Sequence, residues 1–142
     1  MGYESRLHII RRIDWGSGNI WGDEIAVFDM GKMGREEATC IDGEKRTFRK
    51  VFTRDIDFDL DIDVPDGCDK RTDAYGEWCQ WATPEEVYLW LRHSQLTEYY
   101  DRAKLLQEYL YALVRMLDEA RRFGAKDEIG RKDEICVVHY GL

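Results

Sequence analysis

Between Asp55 and Val64 apolar and acidic residues alternate without a break. Ile56, Phe58, Leu60, Ile62 and Val64 fall on one side of an extended chain and Asp55, Asp57, Asp59, Asp61 and Asp63 on the other. One side calls for a core; the other lines up like charges about 6.7 Å apart, twice the rise of a strand. Pro65-Asp66-Gly67 ends the run, because proline lacks a donor and Asp-Gly favours a turn. The same period gives a first strand over Tyr3 to Ile13, with Leu7, Ile9 and Ile13 on one face and Arg6, His8 and Arg12 on the other. Turn formers from Asp14 to Asn19 lead to a second strand over Ile20 to Met30. Its continuous run Ile25-Ala26-Val27-Phe28 predicts a central strand covered on both faces. A short strand is expected at Ala38 to Ile41, before the turn signal Asp42-Gly43. The β pattern from Thr47 to Val64 is too long for one strand and requires a break near Thr53-Arg54-Asp55. Glu77 to Trp81 reads as a short aromatic strand or an extended lead-in to a helix, and Ile135 to Tyr140 as a closing strand apolar enough for the middle of a sheet.

Two segments carry helical spacing instead. Thr83-Pro84-Glu85-Glu86 combines a capping hydroxyl, proline at the first helical position and glutamate at the third, and predicts a helix to about His93 with Val87, Trp90 and Leu91 inward. Thr97 caps a longer predicted helix. Tyr99, Ala103, Leu106, Leu110, Leu113, Leu117 and Ala120 follow at steps of four and three, and Gly124 is its expected stop. A strand-rich first half, two helices and a last strand predict a single α+β domain over residues 1–142. Its sheet is mainly antiparallel, of four to six strands, with both helices packed on one face, where they cover the apolar side of the Asp55–Val64 strand.

Composition narrows the roles. The chain has 142 residues, 44% of them hydrophobic, which suits a folded domain, and a net charge of −8, which opposes general attraction to nucleic acid or anionic membrane. No apolar run reaches membrane-spanning length, and the first residues lack the order of a signal peptide, so an intracellular protein is expected. Cys40, Cys68, Cys79 and Cys136 form no Cys-x-x-Cys pair and are expected as reduced thiols.

The aspartate ladder admits three roles: pairing with basic residues of the first strand or of the Arg49-Lys50 segment, holding a cation, or meeting a basic partner. The cation reading is weakened by Val64, which stands where a calcium loop of the EF-hand type has its turning glycine. A metal site could instead draw on Asp59, Asp61, His8 and His139 if the first and last strands are neighbours. No phosphate-binding glycine signature or nucleophile elbow is present, and no cofactor is expected. Aromatics crowd the helical region, and Tyr88, Tyr100 and Tyr111, off the main stripe, are candidate partner-binding anchors together with Asp55, Asp57, Asp59, Asp61 and Asp63.

Met1-Gly2-Tyr3-Glu4-Ser5-Arg6, the following Leu7-His8-Ile9-Ile10, the segment Ile25 to Met30, and Thr83-Pro84-Glu85-Glu86-Val87 resemble a group of small uncharacterised phage and prophage proteins. The resemblance implies a bacterial cytoplasm, an accessory role in a mobile element, and binding of a host protein such as a defence nuclease. The combined expectation is a small acidic, non-enzymatic binding or regulatory protein. Its partner is a host or phage protein, in the narrower version a basic nucleic-acid-binding protein that it inhibits, with no direct contact to nucleic acid or membrane. The alternatives are a metal-dependent phosphodiesterase or nuclease using the ladder and a histidine, and a homodimer built through a sheet edge.

Overall fold

The structure is a computed structural model that describes residues 4–14, 20–32, 38–41, 44–58, 71–94, 100–122 and 132–141. In chain order its elements are β1 (Ser5–Asp14), β2 (Ile20–Gly31), β3 (Ala38–Ile41), β4 (Glu44–Thr47), a 3-10 turn (Phe48–Val51), β5 (Arg54–Asp55), β6 (Gln80–Ala82), α1 (Pro84–His93), α2 (Tyr100–Arg122) and β7 (Lys132–Gly141). Five strands form an antiparallel sheet in the order β2-β1-β7-β6-β5, and β3 pairs with β4 in a separate ribbon. This is an α+β fold. The closing strand takes the middle of the sheet, as its apolar run predicts.

Both helices lie on one face, α1 over β7 and α2 over β2. The Thr83 hydroxyl accepts from the Glu86 amide at 3.2 Å and donates to the Glu86 carboxylate at 3.1 Å, while Pro84 fills a position whose amide would have had no helical partner. Val87, Trp90 and Leu91 are buried, as are Ala103, Leu106 and Leu110 of α2. They pack on Leu7, Ile9 and Val137 from the sheet and on Phe48, Val51 and Phe52 from the 3-10 turn. Thr97 and Gly124, the expected cap and stop of the longer helix, lie outside the described residues.

Three expectations are corrected. Among the described strands β2 stands at the edge of the sheet and not in its middle. Its pairing steps from Ile9↔Ala26 to Ile10↔Glu24, so Ile25 is an inserted residue. The bulge adds Ile25 to the apolar run, while Val27 alternates normally between the inward Ala26 and Phe28, so the run is continuous without burial on both faces. Ile25 and Val27 are 48% and 45% exposed.

Second, the uninterrupted β pattern from Thr47 is broken already at Phe48, where a 3-10 turn buries Phe48 and Val51, and of the strand expected over Asp55 to Val64 the described residues 55–58 form a strand only at Asp55, in β5, while residues 59–64 lie outside the described residues. The next three residues keep the alternation outside the ladder, with Ile56 and Phe58 buried and Asp57 exposed. Third, the described residues of this apolar side do not meet the helices. Ile56 and Phe58 pack with Ile10, Cys79, Cys136, Val138 and Tyr140 on the opposite face, so the sheet has cores on both sides.

Phe58 reaches β2 at Gly22. A methyl group there would stand 2.6 Å from Cδ2 of Phe58 and 3.0 Å from Cγ2 of Ile10. Gly22→Ala is therefore expected to destabilise the protein by about 1–3 kcal/mol in urea titration, the usual range for overfilling a packed core. Phe58→Leu in the same chain should offset part of that loss, and strictly additive losses would place Phe58 elsewhere.

Candidate functional site

The described part of the ladder is engaged with its own chain. Arg12 of β1 donates to both carboxylate oxygens of Asp57, Nε to Oδ1 at 3.0 Å and Nη2 to Oδ2 at 2.5 Å. This guanidinium holds the Asp57 carboxyl below its ordinary range, against the opposing effect of burial. Because Asp57 is about half exposed (48%), water screens the pair and its net contribution stays at or below about 1 kcal/mol. Asp55 accepts from Gln80 Nε2 at 3.1 Å, and the neighbouring Arg54 pairs with Glu86 at 2.7 Å. Asp59, Asp61 and Asp63 lie outside the described residues.

β1 and β7 are neighbours, the condition set for a site shared by His8 and His139, yet the two rings lie on opposite faces. The register places His8 across from Val138 and Leu7 across from His139, one residue apart, and a one-residue offset in a strand reverses the face. His8 Nδ1 lies 2.7 Å from Glu24, and burial lowers its pKa more strongly than that carboxylate raises it. His139 Nε2 meets the Ser5 hydroxyl at 2.8 Å beside the Phe52 ring, and burial pushes its pKa down to about 4. Ser5 has no exposed surface, so this hydroxyl–imidazole pair ties β1 to β7 and presents no nucleophile. Among the described residues no three His, Cys, Asp or Glu side chains gather as metal ligands.

One cleft adjoins His139, and residue-by-residue reading of the sequence missed it. Arg49, Phe52, Asp73, Trp78, Gln80 and His139 line it, and its free space of 20 Å³ is about one water molecule's worth. Asp73 organises the rim: its carboxylate accepts from the amides of Tyr75 at 2.8 Å and Glu77 at 3.0 Å, and its backbone carbonyl accepts from Gly76 at 3.0 Å. Gly76 has φ +77°, which suits glycine in that turn. Burial holds the Asp73 carboxyl above its ordinary range despite those amides. The Ala74 amide donates to the Gly141 carbonyl and fastens the turn to the sheet, and Arg49 pairs with Glu77 across its mouth. The signal for this turn, Asp73 three residues before a glycine, is present in the sequence. Cys79 beneath it is a free thiol pushed up to about 12 by burial and by Asp73, and Cys136 is likewise buried. These groups stabilise a loop; the space they enclose is too small for an organic substrate.

The aromatic candidates fare differently. Tyr111 is half exposed, its ring 5.9 Å from that of Tyr88 on α1, and the Arg115 guanidinium stands 5.7 Å from its centre. Tyr88 is half-buried against the core and supports the outer ring. The side chain of Tyr100 is outside the described residues. Leu89 is also exposed on α1, and Tyr75 and Trp78 are exposed at the cleft loop, so the apolar surface is wider than the three tyrosines predicted from spacing. Tyr88 and Tyr111 are brought together on the helical face, while Asp57 belongs to the opposite side of the sheet with Arg12. Among the described residues no helix is long and apolar enough to cross a membrane. No protein-family profile, no curated protein and no solved structure matches the chain.

Proposed function

We propose that this chain is a binding or regulatory protein that acts through protein–protein contacts, with the Tyr88–Tyr111–Arg115 cluster as an anchor. The cluster carries the reading: an exposed tyrosine backed by a second ring and a guanidinium offers large contact area at low entropic cost, and tyrosine and arginine are enriched among residues that dominate binding energy. The one-water cleft and the separation of the two histidines give a hydrolytic reading no comparable support. The net charge of −8 favours a basic partner, and the exposed Asp55 and Asp57 would supply a second, acidic contact. In a phage setting that partner is a host or phage protein, in the narrow case a nucleic-acid-binding or defence protein whose groove the acidic chain occupies.

The test compares the wild-type chain, immobilised, with Tyr111→Ser and with Arg115→Glu in bacterial lysate. A protein retained by the wild type and reduced about tenfold or more by each variant is the expected result, since losing such an anchor costs 1–2 kcal/mol or more. Equal retention by all three removes this cluster from the interface. Phosphodiesterase activity of the purified chain with Mn²⁺ or Mg²⁺ would replace the proposal by an enzymatic one.

A further inference from the structure

The long outer edge of the sheet has its own chemistry. β2 runs for 12 residues and pairs with β1, and along its other side no strand is bonded to it among the described residues. An edge of this kind turns a row of amides and carbonyls outward, ready to pair with another extended chain. Its charges are of one sign: Asp23, Glu24 and Asp29 are exposed, and no lysine or arginine occurs from residue 20 to residue 31. Arg102 Nη1 stands 3.7 Å from the Asp29 carboxylate and donates to the Asp29 backbone carbonyl at 3.5 Å.

The helix above the edge is apolar on the same side. Tyr109 of α2 packs at a tilt against Phe28 of β2 with ring centres 5.1 Å apart. Leu105, Ala112 and Met116 continue that stripe at steps of four, three and four, and all three are exposed, Leu105 by 60% and Met116 by 65%. An added strand would thus find an apolar overhang on the helical side and carboxylates at the rim and on the other side.

We infer that the outer edge of β2 accepts an extended segment of a partner protein whose side chains alternate apolar and basic. The apolar set would lie beside Ala26 and Phe28 beneath Leu105 and Met116, and the basic set beside Glu24 and Asp29. The inner side of β2 is already matched by this pattern: in β1, Leu7 and Ile9 face the helices, while Arg6 is opposite Asp29 and His8 meets Glu24. A second copy is the poorer occupant. An antiparallel β2–β2 pairing lays the Asp23, Glu24 and Asp29 edge of one copy along the same acidic edge of the other with no lysine or arginine between them, and each chain brings a charge of −8. The acids and the bulge at Ile25 discourage self-pairing at an exposed edge, whereas a basic strand gains from the same acids. The inference rests on the binding-protein reading but uses a surface separate from Tyr88 and Tyr111.

The probe is a fluorescein-labelled peptide of alternating leucine and lysine, about nine residues long to match a strand, titrated with the full chain and followed by anisotropy. It should bind at least about tenfold more tightly than a peptide of the same composition rearranged to helical spacing, and than an alternating leucine–glutamate peptide, with affinity falling as salt is raised. Val27→Lys and Asp29→Lys should each weaken it about tenfold while the circular dichroism stays that of the wild type, and Tyr111→Ser should leave it unchanged. Equal binding of the alternating and rearranged peptides, or none of either up to about 1 mM, overturns the inference. So does sedimentation showing a dimer that Val27→Lys converts to monomer. A peptide that fails while a lysate protein is still retained through Tyr111 overturns the edge alone; a peptide that binds while no lysate protein depends on Tyr111 leaves the edge and removes the cluster.

Discussion

Trp90→Ala is expected to cost about 3–5 kcal/mol, enough to leave a marginally stable domain largely unfolded at ambient temperature. The indole is fully buried and meets the Phe48 ring edge-on, with centres 5.1 Å apart. Its Nε1 donates to the Arg46 carbonyl at 3.1 Å, so one side chain joins α1 to both the 3-10 turn and the end of β4. Truncation removes the ring's burial, opens a cavity between helix and turn, and takes a donor from the Arg46 carbonyl. Trp90→Phe retains much of the apolar area and loses the hydrogen bond, so its cost should fall between those of the wild type and Trp90→Ala. Urea titration followed by circular dichroism measures both, and a loss below about 1 kcal/mol for Trp90→Ala would falsify the view that this ring holds the helical face together.

The second large effect is a fall in stability on mild acidification, centred on His139. In the unfolded chain its imidazole titrates near 6.5; in the folded protein burial lowers that to about 4. Between those values the unfolded state binds the proton and the folded state does not, so stability drops as pH falls from about 6.5 and levels off below about 4. At about 1.4 kcal/mol per pH unit the whole window amounts to about 3 kcal/mol. His8, also lowered by burial, acts in the same direction. The lowered pKa of Asp57 adds a loss only further down, as pH falls below the ordinary carboxylate range. The check is the unfolding free energy of wild type and His139→Gln at several pH values from 7.5 to 4. The difference between the two proteins should shrink or reverse as pH falls, and parallel curves would mean that His139 is solvated in the folded state.

Local pattern made some of the fold legible and misread other parts. Thr83-Pro84-Glu85-Glu86 specified the start of α1 because all the groups that satisfy its first turn are neighbours in the chain. The stripe Ala103, Leu106 and Leu110 specified the buried side of α2 for the same reason. Ile25 to Phe28 misled, because a bulge and two-sided burial both place apolar residues in succession and only the pairing register with β1 separates them. The two histidines could be imagined as one site from the adjacency of their strands, but a single residue of register assigns each to its own face. The anchoring of the Asp73 turn to Gly141 and the Ser5–His139 pair depend on residues far apart in sequence meeting at the end of β7, where spacing carries little warning.

By itself the sequence determined the α+β class, the extent of α1, the inward faces of both helices, and the central position of the closing strand. These follow from period and capping, which act over a few residues. Only the tertiary structure decided that Ile56 and Phe58 fill the face away from the helices, that Asp57 is held by Arg12, that Tyr88 and Tyr111 meet, and that β2 is outermost among the described strands of its sheet. Each of these is a choice of partner between segments tens of residues apart. Alternation says that a side chain points inward or outward; it does not say against what, because either face of a sheet buries an apolar residue equally well until the rest of the chain has been placed.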